Sequence, residues 1–386
     1  MPGHSMRKPM TLTLTRVLAG AGLATVALAG YLLFWPTGVH PVAWQPDPSP
    51  GYTGPHARNE RLAPLQLKAL PAGAGPEHVA QGPDGWLYTA LDDGHIVRLP
   101  PDGSRLEKVA DTGGRVLGFD FDREGHLIAA DAYKGLLRVT PQGQVSLITD
   151  RVSDTDPIVF ADAVAVAPDG RIYFTEASHR FQPGPWGDPM AVSLVEILEQ
   201  RGNGRVLVHD PATRRTEVVA TGLVFANGIV MTHDGQSLLV AETGRYRVWR
   251  IPTAARHLDV RVPGHSARVV LDNLPAFPDN LTRGEAGRYW LGLPKPRSVL
   301  ADALAPWPFL RAASLRLPHA LLPVPRPYGH AVAFNEQGQI LEDLQDPSGR
   351  YPEVTGITEV QGTLYVHSLV APAFGILHRV ANSGLQ

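Results

Sequence analysis

One hairpin recurs six times along this chain, and no other feature restricts its fold as tightly. The segments "PEHVAQGPDGWLYTAL", "LGFDFDREGHLIAAD", "ADAVAVAPDGRIYFTE", "ANGIVMTHDGQSLLVAE", "PDNLTRGEAGRYWLGL" and "EVTGITEVQGTLYVHS" each read as a strand, a tight turn ending in glycine, and a second strand. The turn glycines are Gly85, Gly125, Gly170, Gly235, Gly287 and Gly362. Hairpin turns demand a positive φ there, which glycine adopts without steric cost. Successive glycines lie 40, 45, 65, 52 and 75 residues apart, a period that signals a repeated sheet with insertions of variable length. Six such antiparallel units predict an all-β, six-bladed β-propeller, with four-stranded sheets around a central channel. A β-sandwich does not predict six copies of one hairpin.

The last spacing is too long for one blade. "HAVAFNEQGQILEDL", from His330, is therefore expected to be the outer hairpin of the fifth blade, behind an insertion at residues 295–327. A second insertion spans residues 179–204, and the early strand "RLAPLQLKAL" is expected to close the ring on the last blade. The 39 Gly and 36 Pro make up close to a fifth of the 386 residues, against an average of about 12%. With globular apolar content, this signals many turns between short strands, and from Arg61 onward no long amphipathic helix is expected.

The N-terminus has another character. Arg7, Lys8 and Arg16 precede "VLAGAGLATVALAGYLLFW", 19 uncharged residues from Val17 to Trp35, which suffice to cross a hydrocarbon core of about 30 Å. Tyr31, Phe34 and Trp35 gather at its far end, as aromatic residues do at an interface. The expected division is a cytoplasmic segment 1–16, a transmembrane signal anchor 17–35, a Pro/Gly-rich stem 36–60 and an extracytoplasmic propeller 61–386. A signal peptide cleaved near "ALAG" is the rival reading.

Counting eight residues back from each turn glycine gives Glu77, Leu117, Asp162, Asn227, Asp279 and Val354. Four of the six carry oxygen, at one phase of the repeat. Since the first strand of each propeller blade lines the channel, equivalent positions converge on the axis, with Asn280 as a candidate fifth ligand. Converging carboxylates repel one another unless a cation sits among them. Hard oxygen donors suit Ca²⁺ best, with Mg²⁺ and Mn²⁺ as alternatives. Taken singly, each is also an ordinary strand-start or turn residue.

Other chemistries are excluded or weakly supported. There is no cysteine, and a net charge of -2 gives no field for nucleic acid. No G-x-S-x-G, H-E-x-x-H or P-loop motif occurs. His78, Asp131, Glu176, Glu242, His330 and His367 sit at strand ends or beside apolar runs, where packing or turn-capping explains them as well as chemistry does. The sequon "NLT" at Asn280 conflicts with a ligand role for that residue.

The segments "GPEHV", "ADAYKGLLRV", "FADAVAVAPDGRIYFTE", "FANGIVMTHDGQSLLVAETGRYRVWRI" and "FPDNL" resemble the strictosidine synthase-like and SMP-30/gluconolactonase superfamily of six-bladed propellers. Within it, they are similar to single-pass anchored members with arylesterase-type activity. The resemblance implies that an ion in the channel is held by Glu77, by Asn227 of "ANG", and by Asp279 with Asn280 of "DN". Asp162 aligns with the Asn of an "ND" pair, which puts Ala163 where paraoxonases use an Asp for a second calcium, so that second ion is not implied. Around Glu353 there is no secure match to the glutamate of true strictosidine synthases, and their condensation reaction is not implied.

The expected function is thus a membrane-anchored, Ca²⁺-dependent hydrolase of small-molecule lactones or aryl esters, with Asp279 as the base that receives a proton from water. A non-catalytic binding propeller with a structural ion is the alternative; a condensing enzyme ranks last. The apolar stretch "LADALAPWPFLRAASLRLPHALL" is expected either to form a lid with its apolar side packed inward or to rest on a membrane.

Overall fold

The computed structural model describes residues 10–70, 75–317 and 326–379. Within it each hairpin of the repeat forms the two inner strands of one sheet. The first strands are Val79–Gln81, Val116–Phe121, Ala161–Val166, Ala226–Met231, Leu281–Arg283 and Val354–Val360. Each pairs antiparallel with the strand beyond its glycine turn. The six turn glycines have φ between +67° and +88°, the region that side chains avoid.

Two further strands complete each sheet, and a short parallel strand, Leu258–Asp259, extends the third. The result is the expected six-bladed propeller. The fifth blade takes its outer hairpin from Gly329–Phe334 and Ile340–Asp346, beyond the insertion. Ring closure is also as expected: Gln66–Ala69 pairs with Ala373–His378 as the outermost strand of blade six.

Because alternate side chains of a strand face opposite ways, both faces of every blade carry apolar residues into the seams between blades. Leu239 and Ala241 of blade four meet Leu291 and Val332 of blade five in one cluster. Trp290 of blade five meets Ile357 and Val366 of blade six in the next. Each fully buried large side chain contributes about 1.5–3 kcal/mol, so stability is distributed around the ring. Toward the axis the first strands approach closely. A Cβ on Gly228 would come within 2.5 Å of the Asp279 carbonyl oxygen and the Leu281 nitrogen, so the glycine of "ANG" lets blade four seat against blade five.

Among the described residues, four α-helices stand outside the sheets: α1 (Met10–Phe34), α2 (Pro189–Glu199), α3 (Val299–Leu304) and α4 (Pro308–Ser314). α2 fills the first insertion; α3 and α4 fill the second, of which residues 318–325 lie outside the described residues. Both insertions join the second strand of a blade to its third. In an antiparallel sheet the second strand ends where the first begins, so all three helices lie at the end of the propeller where the first strands start. A lid was expected over residues 300–322, but α2 was not expected, because its buried positions carry charge. α2 buries Glu196 and Glu199 beside Val192 and leaves Met190 and Leu194 exposed, the reverse of the usual amphipathic pattern.

Residues 36–60 are extended, as expected of a stem, but they lie along the propeller. The Val42 and Trp44 amides donate to Glu199 and Ala305 carbonyls at 2.9 and 3.2 Å. His56 Nδ1 lies 2.8 Å from Asp343 Oδ2 of blade five.

Candidate functional site

At the end of the ring where the first strands begin, repeat phase becomes geometry. Asp162 and Asn227 are the second residues of their strands, and Glu77 and Asp279 lie two residues ahead of theirs. All four are buried, between 3% and 7% exposed. Their charges are close enough to act on one another. Burial drives the Asp162 pKa well above the usual carboxylate range, and the Glu77 and Asp279 carboxylates add to the effect. Asp279 is raised well above its ordinary value first by burial and then by Glu77, while the Asn227 side chain against it works in the opposite direction. Burial pushes Glu77 up to about 7 despite the Arg115 guanidinium 3.1 Å away.

Asn280, expected as a fifth ligand, uses its amide nitrogen to tie blades together. Its Nδ2 donates to the Glu77 carbonyl at 3.0 Å, and its backbone amide donates to the Thr355 carbonyl at 3.0 Å. At 2% exposure it is no acceptor for a glycan, which removes the conflict raised by the sequon.

Blades two and six have Leu117 and Val354 at the shared phase, but each supplies a charged neighbour that counting missed. Arg115 comes from just ahead of the blade-two strand. Glu353, directly before Val354, adopts φ of +50°; its carboxylate bears on Asp279 and pairs with Lys295 at 3.2 Å. Lys295 itself comes from the second insertion.

Four carboxylates (Glu77, Asp162, Asp279, Glu353) face two cations (Arg115, Lys295); when all four are ionised, as a bound cation would require, the cluster is short of two positive charges. Asn227 Oδ1, Asp279 Oδ1 and Glu353 Oε2 are buried without hydrogen-bond partners, a costly condition for polar atoms. Unpartnered hard oxygens with a twofold charge deficit are the donor set that a divalent, oxygen-preferring cation requires. In donor chemistry the residues present suit such an ion.

The weaker candidates all have structural partners. Asp131 accepts from Thr112 Oγ1 and the Tyr133 amide, satisfying its turn. Glu176 binds Arg205 and the Val159 amide; Glu242 binds Arg247, Trp249 Nε1 and the Val224 amide. His78 packs edge-on against Phe119 and His367. His367 bonds Thr358, and His330 bonds Asp343.

A six-bladed propeller with a buried cluster of oxygen donors at one end of its channel is the class that fold and site define. Comparison with known proteins narrows it. The family model "Strictosidine synthase-like, N-terminal" matches residues 54–99 and "Strictosidine synthase" matches residues 162–255. Adipocyte plasma membrane-associated protein of Salmo salar is 31% identical over 381 residues, covering 92% of this chain and 87% of the relative. Strictosidine synthase-like protein 10 of Arabidopsis thaliana is 29% identical over 340 residues, covering 80% and 86%. This chain belongs to the strictosidine synthase-like family.

Among solved structures, a gluconolactonase from Xanthomonas campestris superposes with a TM-score of 0.57 at 17% identity, covering 88% of this chain and 98% of that one. A luciferin-regenerating enzyme gives 0.51 at 12%, covering 82% and 96%. At these identities the likeness is one of fold. The stretch Arg16–Phe34 of α1 is long and apolar enough to cross a membrane, in keeping with the plasma-membrane association in the Salmo salar relative's name.

Proposed function

We propose that this protein is a membrane-anchored hydrolase of lactones or aryl esters, dependent on a divalent cation held by Glu77, Asp162, Asn227 and Asp279, with Ca²⁺ the ion that suits this set best. The observation that carries the reading is the pair of buried, unpartnered oxygens on Asn227 and Asp279 within a cluster short of two positive charges. When bound, such an ion polarises a substrate carbonyl and lowers the pKa of water. Everything else falls to the chain. Asp279, with Oδ1 free, is the base that takes a proton from the attacking water. Arg115 fixes the Glu77 carboxylate on the blade-two side. Lys295 and Glu353, 30% and 18% exposed in their side chains, flank the way in and orient the polar end of a substrate. The stacked seam residues around the cluster keep bulk water out, which strengthens every charge interaction there.

The test is hydrolysis of a panel of aryl esters and lactones by the full chain in detergent, before and after chelation and with Ca²⁺ restored. Activity that follows the ion, and that falls at least a hundredfold in Asp279→Asn with the melting temperature preserved, supports the reading. A second reading is a ligand-binding propeller with a structural ion, favoured by the pairing of Glu77 and Glu353 with cations already in place. Chelation that lowers only the melting temperature, with no hydrolysis in any state, would put that second reading first.

A further inference from the structure

Among the described residues, three short helices on the site end of the propeller bury charged side chains and expose large apolar ones. α2 turns Glu196 and Glu199 inward, where Ser178, Asn203 and the His40 amide bind them. α3 turns Asp302 toward Tyr246 and Arg297, at 3.0 and 2.9 Å. α4 buries Arg311 to 2% exposure, with its guanidinium bonded to the carbonyls of Leu198 and Val42. α2 also packs Val192, Val195 and Ile197 inward, but other large apolar side chains of the layer point the other way. Val299 is 86% exposed, Phe309 58%, Trp307 54%, and Leu310, Met190 and Leu194 between 37% and 38%. A helix in water buries its apolar face and solvates its charges; here each helix of the layer turns a charged side chain inward and leaves large apolar ones exposed. Large apolar side chains exposed together on one end of a protein point to an interaction surface.

The occupant is indicated by what adjoins the layer. The C-terminal end of α1, where Tyr31 and Trp35 lie, is fastened to the end of α4: Arg316 donates to the carbonyls of Leu32 and Trp35 at 2.9 and 2.6 Å, and the Tyr31 hydroxyl donates to the Arg316 carbonyl. If α1 crosses a bilayer, α4 is held at the height where it leaves the hydrocarbon. Apolar residues at that height find the acyl-chain boundary, where amphipathic helices lie flat.

We propose that the outward faces of α2, α3 and α4 are seated in the head-group region of the bilayer that α1 spans, so that the site end of the propeller faces lipid. Substrates then arrive from the membrane, and the favoured class is lipophilic esters or lactones partitioned into the leaflet. This proposal rests on the reading of α1 as a membrane anchor.

The chain contains no cysteine, so single cysteines carry nitroxide labels without background. Four variants of the full chain are reconstituted in phosphatidylcholine vesicles: Val26→Cys on α1, Leu194→Cys on α2, Phe309→Cys on α4, and Leu341→Cys, exposed at the opposite end of blade five. Accessibility to oxygen and to a water-soluble nickel complex is read by electron paramagnetic resonance. The expected result is several-fold higher oxygen-to-nickel accessibility at positions 26, 194 and 309 than at 341. Position 26 in lipid with 194 and 309 as aqueous as 341 overturns the proposal and leaves the anchor intact. Position 26 in water overturns the anchor and the proposal together.

Discussion

Replacing Arg115 by glutamine tests the charge balance on which the cation site rests. The Arg115 guanidinium lies 3.1 Å from Glu77 Oε2, so a cation sharing that carboxylate would stand on the order of 5 Å from it. At an effective dielectric of about 20, a single and a double positive charge at that separation repel by roughly 7 kcal/mol. If relaxation of Glu77 toward the ion and water entry absorb two thirds of this, about 2 kcal/mol remains, a dissociation constant roughly thirtyfold lower in Arg115→Gln. The ion-free variant moves the other way, because removing one partner of a buried ion pair costs about 3–5 kcal/mol. Calorimetric titration of the chelated protein with Ca²⁺, beside thermal melts with and without the ion, reads both effects. The expected pattern is tighter binding, a lower ion-free melting temperature and a larger rise on adding Ca²⁺. An unchanged or weaker affinity, or no binding by either protein, refutes the reasoning: Arg115 would then be the counter-ion of the cluster rather than a competitor for it.

Asn280→Ala should cost about 1–2 kcal/mol, since the Glu77 carbonyl keeps its bond from Thr355 Oγ1 at 2.6 Å. Ca²⁺ affinity should change little; a collapse in calorimetry would show Asn280 to be a ligand. Gly228→Ala drives a methyl group into the backbone of blade five, and thermal melts should register a loss of about 1–3 kcal/mol or more, together with weaker ion binding as Asn227 and Asp279 are forced apart. The contact between stem and blade five should be sensitive to acid. Burial lowers the His330 pKa, and although burial opposes it, hydrogen bonds from His330 and His56 hold Asp343 well below its ordinary value. Both groups bind more protons when unfolded, so their contribution is present above about pH 6.5 for the histidine and about pH 4 for the aspartate, and is lost as pH falls through the folded values. Melting temperature against pH should fall on the acid side, and Asp343→Asn should remove the part lost below about pH 4 while enlarging the His330 part, since Asp343 holds the His330 pKa up, at a cost of about 3 kcal/mol at neutral pH.

The ring was legible because a propeller blade writes its own local pattern. Each inner hairpin carries its alternation and its glycine within a short window, and the repeat supplies its register. Glu77, Asp162, Asn227 and Asp279 were legible for the same reason, sharing one phase. Arg115 and Glu353 were not, because a count at fixed offset samples one side chain per blade and these stand beside it. Lys295 reaches the cluster from an insertion that has no repeat phase. Helix α2 escaped because an amphipathic helix is read by an apolar face turned inward; Arg311 and Glu199 are buried through hydrogen bonds that pattern alone does not report. The lid expectation for residues 300–322 is corrected in this respect: in the described part the apolar side faces out.

A division of labour follows from how an antiparallel blade is wired. The turns between first and second strands hold five residues in blades one to five and two in blade six, since a longer loop would loosen the register that sets the phase of the ligand positions. Connections from second to third strands carry no such constraint, and those of blades three and five expand to hold α2, α3 and α4. These expandable connections all fall at the end where Glu77, Asp162, Asn227 and Asp279 converge. The ring can therefore hold the charge cluster fixed while the surface above it changes freely, with Lys295 carrying charge from that surface into the site. On the proposed function, access and the medium from which substrate comes would be set by the insertions, and ion binding by the strands. Substitutions on the outward faces of α2 and α4 should accordingly alter the apparent KM for membrane-borne substrates and leave Ca²⁺ affinity unchanged; a coupled change in both would show that the helices shape the cluster itself.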